Sequence, residues 1–265
     1  MLEISTIIGY SLALLIGISL GLIGSGGSIL TVPILVYIMN IEPFIATAYS
    51  LFIVGSTSLV GGVKNLIDKK VDKKAVLLFG IPSLITVYLT RAYLLPLVPD
   101  FINIGNIAIN KNMALMILFA IVMFTSATKM IIPKKVSNTS TDNKNSPFSL
   151  SIQGVLIGLL AGTVGAGGGF LIIPALVLFA NIPMKKAIGT SLCIIAIQSL
   201  IGFLGDLKHT PIDWELLLTF SAISIIGIFI GIALTKFIPD NNLKKGFGYF
   251  VLTMAIYIII KEVFI

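Results

Sequence analysis

The chain has 265 residues, 57% of them hydrophobic and only 11% charged, with mean hydropathy +1.07 and a formal net charge of +7. A soluble domain carries about 25% charged residues, so this composition excludes one and defines an integral membrane protein whose first partner is the lipid bilayer. The positive charge does not indicate nucleic acid, because 17 of the 18 basic residues are lysines lying mostly between apolar runs, where they orient the chain in the membrane.

Taken in chain order, apolar runs close to the ~20 residues that cross a ~30 Å hydrocarbon core occupy Thr6–Gly24, Pro43–Val63, Ala75–Leu95, Met113–Ile132, Ala187–Gly205, Leu216–Thr235 and Gly246–Ile260. No basic residue precedes the first run and no cleavage-type tail follows it, so it reads as a span and not as a removable leader. Two stretches, "GLIGSGGSILTVPIL" from Gly21 and "GTVGAGGGFLIIPAL" from Gly162, carry glycines and a proline at the same spacing. With a constant offset of 141, Gly21, Gly24, Gly26, Gly27 and Pro33 fall on Gly162, Gly165, Gly167, Gly168 and Pro174. The register continues through Asn40 on Asn181, Ala46 on Ala187, Ser50-Leu51 on Ser191-Leu192, Ser58-Leu59 on Ser199-Leu200, Gly61 on Gly202 and Asp72 on Asp213. Shared composition does not hold register across loops, so the chain divides into an N-terminal transmembrane repeat (1–133), a polar linker (134–147) and a C-terminal repeat (148–265).

Lysine placement orients the halves. If each glycine stretch crosses once, the halves are parallel and basic residues divide eleven to seven between the two sides. If each stretch returns to the side it came from, the loops at Lys64–Lys74, Lys129–Lys144, Lys185–Lys186 and Lys236–Lys245 share one side, fourteen against four. The positive-inside rule favours the second arrangement: inverted halves, a cytoplasmic linker and both termini outside. The fold class is therefore all-α and polytopic, with two inverted-topology repeats and about eight to ten transmembrane segments. Each half has five helical segments, the first two short and broken at glycine. A re-entrant hairpin and a pair of full crossings give the same charge count.

Irregular backbone at membrane depth survives only where protein or a watery cavity satisfies it, and paired breaks in inverted halves point to a shared site. Glycine permits left-handed turns and close approach to bare N–H groups. New helices expected from about Ser28 and Gly169 turn positive dipole ends toward that site, which favours an anion. Candidate substrate-binding residues are Gly24, Ser25, Gly26, Gly27 and Ser28, then Gly165, Gly167, Gly168 and Gly169, with Ser50, Thr190, Ser191 and Gln198 as side-chain donors. The two glycine tips are expected to meet near the midplane. For a single "GSGGS" the competing explanation is close helix packing; duplication at matched positions weakens it. Neither stretch fits a nucleotide loop, since "GLIGSGGS" lacks the P-loop lysine and Phe170 replaces the last glycine of a dinucleotide fingerprint.

Both glycine segments with their following prolines, together with "AIGTSL" at Ala187–Leu192 and the looser "ATAYSL" at Ala46–Leu51, resemble the TauE/SafE family of sulfite-exporter-like membrane transporters. The resemblance implies a multi-pass plasma-membrane transporter moving sulfite, thiosulfate or organosulfonate-type anions, with export the expected direction. The chain departs from a compact member at Leu95–Asn112, a semi-polar connection expected on the outer side.

All eleven acids lie in loops or near segment ends, Asp206 after Gly205 being the nearest to a proton site and readable as a solvated helix end. Arg91, the single arginine, could grip an oxyanion bidentately, but its position among Tyr88 and Tyr93 is read as snorkelling to the outer interface. Trp214 reads as an interface anchor and Cys193 as a small buried hydrophobe. One histidine, His209, and one cysteine build neither a metal cluster nor a catalytic pair, so no cofactor, metal or enzymatic activity is expected. No pattern singles out an oligomer interface. A passive anion channel and a non-transporting structural subunit are the rival readings.

Overall fold

The computed structural model describes residues 4–24, 26–99, 101–104, 107–132, 147–165, 168–178, 182–207, 210–234, 237 and 240–264. The helices are α1 (Ile4–Ile23), α2 (Gly26–Tyr37), α3 (Pro43–Ile67), α4 (Lys73–Leu97), α5 (Lys111–Ile131), α6 (Pro147–Val164), α7 (Gly169–Leu178), α8 (Met184–Asp206), α9 (Trp214–Leu234) and α10 (Asp240–Phe264). Four of them, α3, α4, α8 and α9, are long and apolar enough to cross a membrane. Local chemistry sets several boundaries. Pro43 opens α3, where its missing N–H costs nothing. Asp72 caps α4 by accepting from Ala75 N (3.1 Å), and Asn110 caps α5 by accepting from Asn112 N (2.8 Å). Within α4 the chain widens into π-helical turns at Val76–Gly80 and Thr90–Leu94. Pro82 and Pro96 follow them closely, removing donors from the ladder and loosening the turn before each.

The semi-polar connection after α4 carries an antiparallel hairpin, Phe101–Ile104 (β1) paired with Ile107–Asn110 (β2), Phe101 opposite Asn110 and Ile104 opposite Ile107. One expectation needs correction. The first helix of each half is not short, since α1 has 20 residues and α6 has 18. Apolar sequence runs back far enough from each glycine to give about 30 and 27 Å of helix. Only α2 and α7, with 12 and 10 residues, are short.

Backbone-to-backbone packing joins the two halves. Gly17 and Gly21 of α1 lie on the Ser224 and Ile228 carbonyls of α9, with Gly227 and Gly231 presenting bare Cα atoms in return. The same arrangement recurs where Gly158 and Gly162 of α6 meet the Ser83 carbonyl and Thr90 of α4. In the middle, α3 and α8 run antiparallel: Gly55 meets Leu200, Gly61 meets Leu192, and Asn65 lies against Gly189. The offset of 141 that aligns the halves in sequence also exchanges their contacts. Gly61 against Leu192 is matched by Gly202 against Leu51, with a Cβ built on either glycine 3.3 Å from the leucine. Gly62 against Cys193 is matched by the Phe52–Phe203 ring contact. The bond from Asp72 N to Thr190 Oγ1 (2.8 Å) is matched by that from Asp213 N to Tyr49 Oη (2.6 Å). Outside this centre, Met116, Phe119 and Met123 of α5 pack with Val251, Ala255 and Ile258 of α10.

Candidate functional site

The first glycine turn follows α1. Gly24 has φ +76°, a conformation that penalises any side chain, and donates its N–H to Leu20 O (2.7 Å). Its bare Cα admits Ile188 of α8. Ser191 donates to Ile188 O (2.9 Å) and lies 3.3 Å from Gly24 O. Close by, Thr190 donates to Lys186 O (2.7 Å) while accepting from Asp72 N. The Asp72 carboxylate holds Lys186 Nζ at 3.2 Å. Partial burial alone would raise the Asp72 carboxyl, but the Ala75 N–H and the Lys186 ammonium outweigh it and hold the group below the ordinary carboxylate value.

The second turn follows α6 and carries two left-handed glycines, Gly165 at φ +71° and Gly168 at φ +64°. A side chain at 165 would strike both Thr47 and Arg91 Nη2, and one at 168 would meet Ala161 and, at 3.2 Å, Gln198 Nε2. Arg91 is fully buried here. Its Nη1 donates to Thr47 Oγ1 (3.0 Å) and lies 3.2 Å from Asp206 Oδ2, while Nε and Nη2 find no acceptor among the described residues. Gly205 brings the α8 backbone onto Arg91, a Cβ there being 2.9 Å from the arginine Cβ. Below this pair, buried Gln198 accepts from Ser83 Oγ (2.6 Å).

These positions correct two readings. Arg91 does not snorkel: it sits inside the π turn of α4, which points it inward while Tyr88 and Tyr93 are exposed. Asp206 is not a solvated helix end but is 1% exposed, because the arginine it pairs with is itself enclosed. Gly24 and Gly168 meet α8 at Ser191 and Gln198, seven residues or about 10 Å apart along it, whereas Gly24 and Gly165 are further separated. Gly165 lies by Thr47 at one end of α3, and Gly24 lies by Ile188, next to Gly189, which rests on Asn65 at the other end. That separation is about 27 Å along the helix, a consequence of the length of α1 and α6. Of the remaining predicted residues, Ser25 and Gly167 lie outside the described residues. Gly26, Gly27 and Ser28 form the first turn of α2, and Gly169 opens α7. Ser50 is buried with its hydroxyl unpartnered among the described residues, as are Thr57, Ser58 and Ser199. Arg91 and Asp206 had a signal in sequence: their repeat mates are Ile232 and Asn65, so neither charge has a counterpart at the equivalent position of the other half.

A helical membrane protein is the class that the long apolar helices define. The chain belongs to the sulfite exporter TauE/SafE family, whose pattern matches residues 10–258. It is 28% identical to a probable membrane transporter protein of Xylella fastidiosa (strain 9a5c), across 92% of this chain and 91% of the relative. It is 26% identical to the probable membrane transporter protein YunE of Bacillus subtilis, across 79% and 81%. A further relative in Methanocaldococcus jannaschii, also a probable membrane transporter protein, is 38% identical over 41% of this chain and 43% of its own. No solved structure matches the chain.

Proposed function

We propose that the chain is a secondary transporter of small sulfur-containing anions of the sulfite, thiosulfate or organosulfonate type, acting in the plasma membrane by alternating access, with export as its direction. The observation that carries this reading is a buried polar face shared by the two central antiparallel helices. Ser50 and Thr57 are seven residues apart on α3, which puts them on one helix face, and their repeat mates Ser191 and Gln198 stand alike on α8. The face runs between a glycine turn at one end and its repeat at the other. Exchange of contacts under one offset, with α3 and α8 antiparallel, supports halves related by a pseudo-two-fold axis in the membrane plane, the arrangement that lets two equivalent conformations open to opposite sides. Anion preference is supported by left-handed glycines leading into helix N-termini. Transport, not catalysis, is the role these residues fit.

The test is flux of labelled sulfite, thiosulfate and a short sulfonate in proteoliposomes of the purified protein, with sulfate and chloride as controls. The expected result is saturable flux of one sulfur anion, lost in Gly26→Leu and Gly167→Leu while membrane insertion persists. Flux that does not saturate and admits chloride replaces the carrier with a channel, and absence of any flux returns the glycines to a packing role.

A further inference from the structure

We propose that Arg91 is the anion-binding cation of this protein, that Gly165 keeps the place beside its guanidinium free of a side chain, and that Asp206 is the internal carboxylate which holds the arginine when no oxyanion is bound. The proposal rests on the anion-transport reading above and names the site through which it works.

A guanidinium has five N–H donors in a rigid fork. Only Nη1 is engaged, by Thr47 Oγ1 and the Asp206 carboxylate. The Nε–Nη2 edge, whose parallel N–H bonds match two oxygens of a sulfite or sulfonate, is fully buried with no acceptor among the described residues. Leaving a charged donor edge buried and unpaired is expensive, so the edge is built for a group that brings its own oxygens. Its Nη2 lies against the place where a Cβ on Gly165 would sit, in the turn that follows α6. Placement within a π turn fits, since such turns re-aim side chains and recur at functional sites.

The site is single. At the first glycine turn the repeat mates of Thr47, Arg91, Gln198 and Asp206 are Ile188, Ile232, Thr57 and Asn65, without charge. Asp206 neutralises Arg91 in the empty site and competes with the incoming anion for the same cation. Losing this carboxylate tightens anion binding, and losing the arginine abolishes it.

Two readouts on the full chain separate this proposal from the transport reading. In detergent, the rise in melting temperature with sodium sulfite is measured against sodium chloride at equal ionic strength. In proteoliposomes, labelled sulfite flux is measured on the same preparations. Wild type is expected to respond saturably to sulfite. Asp206→Asn should half-saturate at a concentration about tenfold lower, and Arg91→Lys, which keeps charge but loses the paired donors, at one about tenfold higher. Because Arg91→Gln alone leaves Asp206 buried without its cation, the neutral double variant R91Q/D206N tests the loss, and it should show no sulfite response. A double variant that responds and transports like wild type overturns the site while leaving transport standing. A sulfite response in wild type that disappears in the double variant, without flux in either, keeps the site and removes the transport reading. No sulfite response in wild type overturns the proposal.

Discussion

At the scale of single residues, the two kinds of glycine in this chain have opposite requirements. Gly165 adopts φ +71°, and a methyl group there would overlap Thr47 and Arg91 Nη2. Gly165→Ala is expected to cost about 1–2 kcal/mol from backbone strain alone, read as a lower melting temperature in detergent. Gly80 has φ −66° and its nearest neighbour to an added Cβ is 3.5 Å away. Gly80→Ala should therefore be neutral or stabilise by about 0.5–1 kcal/mol, and a loss as large as that at 165 would refute the distinction. Asp72 supplies a pH dependence with a defined sign. Its carboxyl sits below the ordinary value of 3.8 in the folded chain because the Ala75 N–H and Lys186 outweigh its partial burial. The stability it contributes is present above that ordinary value and is lost as pH falls through the lower folded value. Asp72→Asn should flatten this acid-side drop while leaving the thermal stability at pH 9 parallel to wild type; an unchanged acid limb would assign it to other groups.

At the scale of helices, close backbone approach at glycine does the work that side-chain interdigitation does in a soluble core. Gly227 lies against the Leu14 carbonyl and the Gly17 Cα, so Gly227→Leu must push α9 off α1. Forcing a side chain into such a contact costs about 1–3 kcal/mol or more, and the expected readout is a lower melting temperature with aggregation during purification. The antiparallel pairing of α3 and α8 has its own check. Cys193 is the only cysteine in the chain, and its Sγ lies 3.3 Å from the Cβ position of Gly62. Gly62→Cys should form a disulfide with it under mild oxidation, seen as loss of maleimide labelling; two thiols that stay reactive would contradict the pairing. The seven long apolar runs were legible because hydrophobicity over ~20 residues is a strong signal, and a helix spans most of each. Less legible was α6, whose Gly154, Gly158 and Gly162 serve packing against α4 and dilute its apolar character. The π turns of α4 and the β1–β2 hairpin were hidden for a different reason. They depend on where prolines fall and on pairing between strands, which hydropathy does not report.

At the scale of the whole molecule, a duplicated chain has been made unequal in one place. The glycine turns, the α3–α8 seam and the exchanged contacts repeat under one offset, and this much could be read from sequence because it needs only matching letters. The charged pair could not be placed by that logic, since Arg91 and Asp206 lie 115 residues apart and meet only because Gly205 lets α8 close on the π turn of α4. A carrier with equivalent halves needs only one binding cation if both conformations share it, so asymmetry in charge within symmetry in backbone is what a single-site transporter requires. The orientation of that asymmetry follows from the lysines. If the side with fourteen of the 18 basic residues is the cytoplasmic one, the linker 134–147 is expected there and the β1–β2 hairpin on the opposite face together with the Gly165 turn. Single cysteines introduced at Ser140 and at Asn106, in a background with Cys193→Ala, test this directly in intact cells. A membrane-impermeant maleimide should label the Asn106→Cys protein and leave the Ser140→Cys protein unlabelled until the membrane is opened. The reverse pattern would invert the molecule and turn the Arg91 end toward the cytoplasm, while labelling of both in sealed cells would mean that α5, the helix between the two positions, does not cross the membrane.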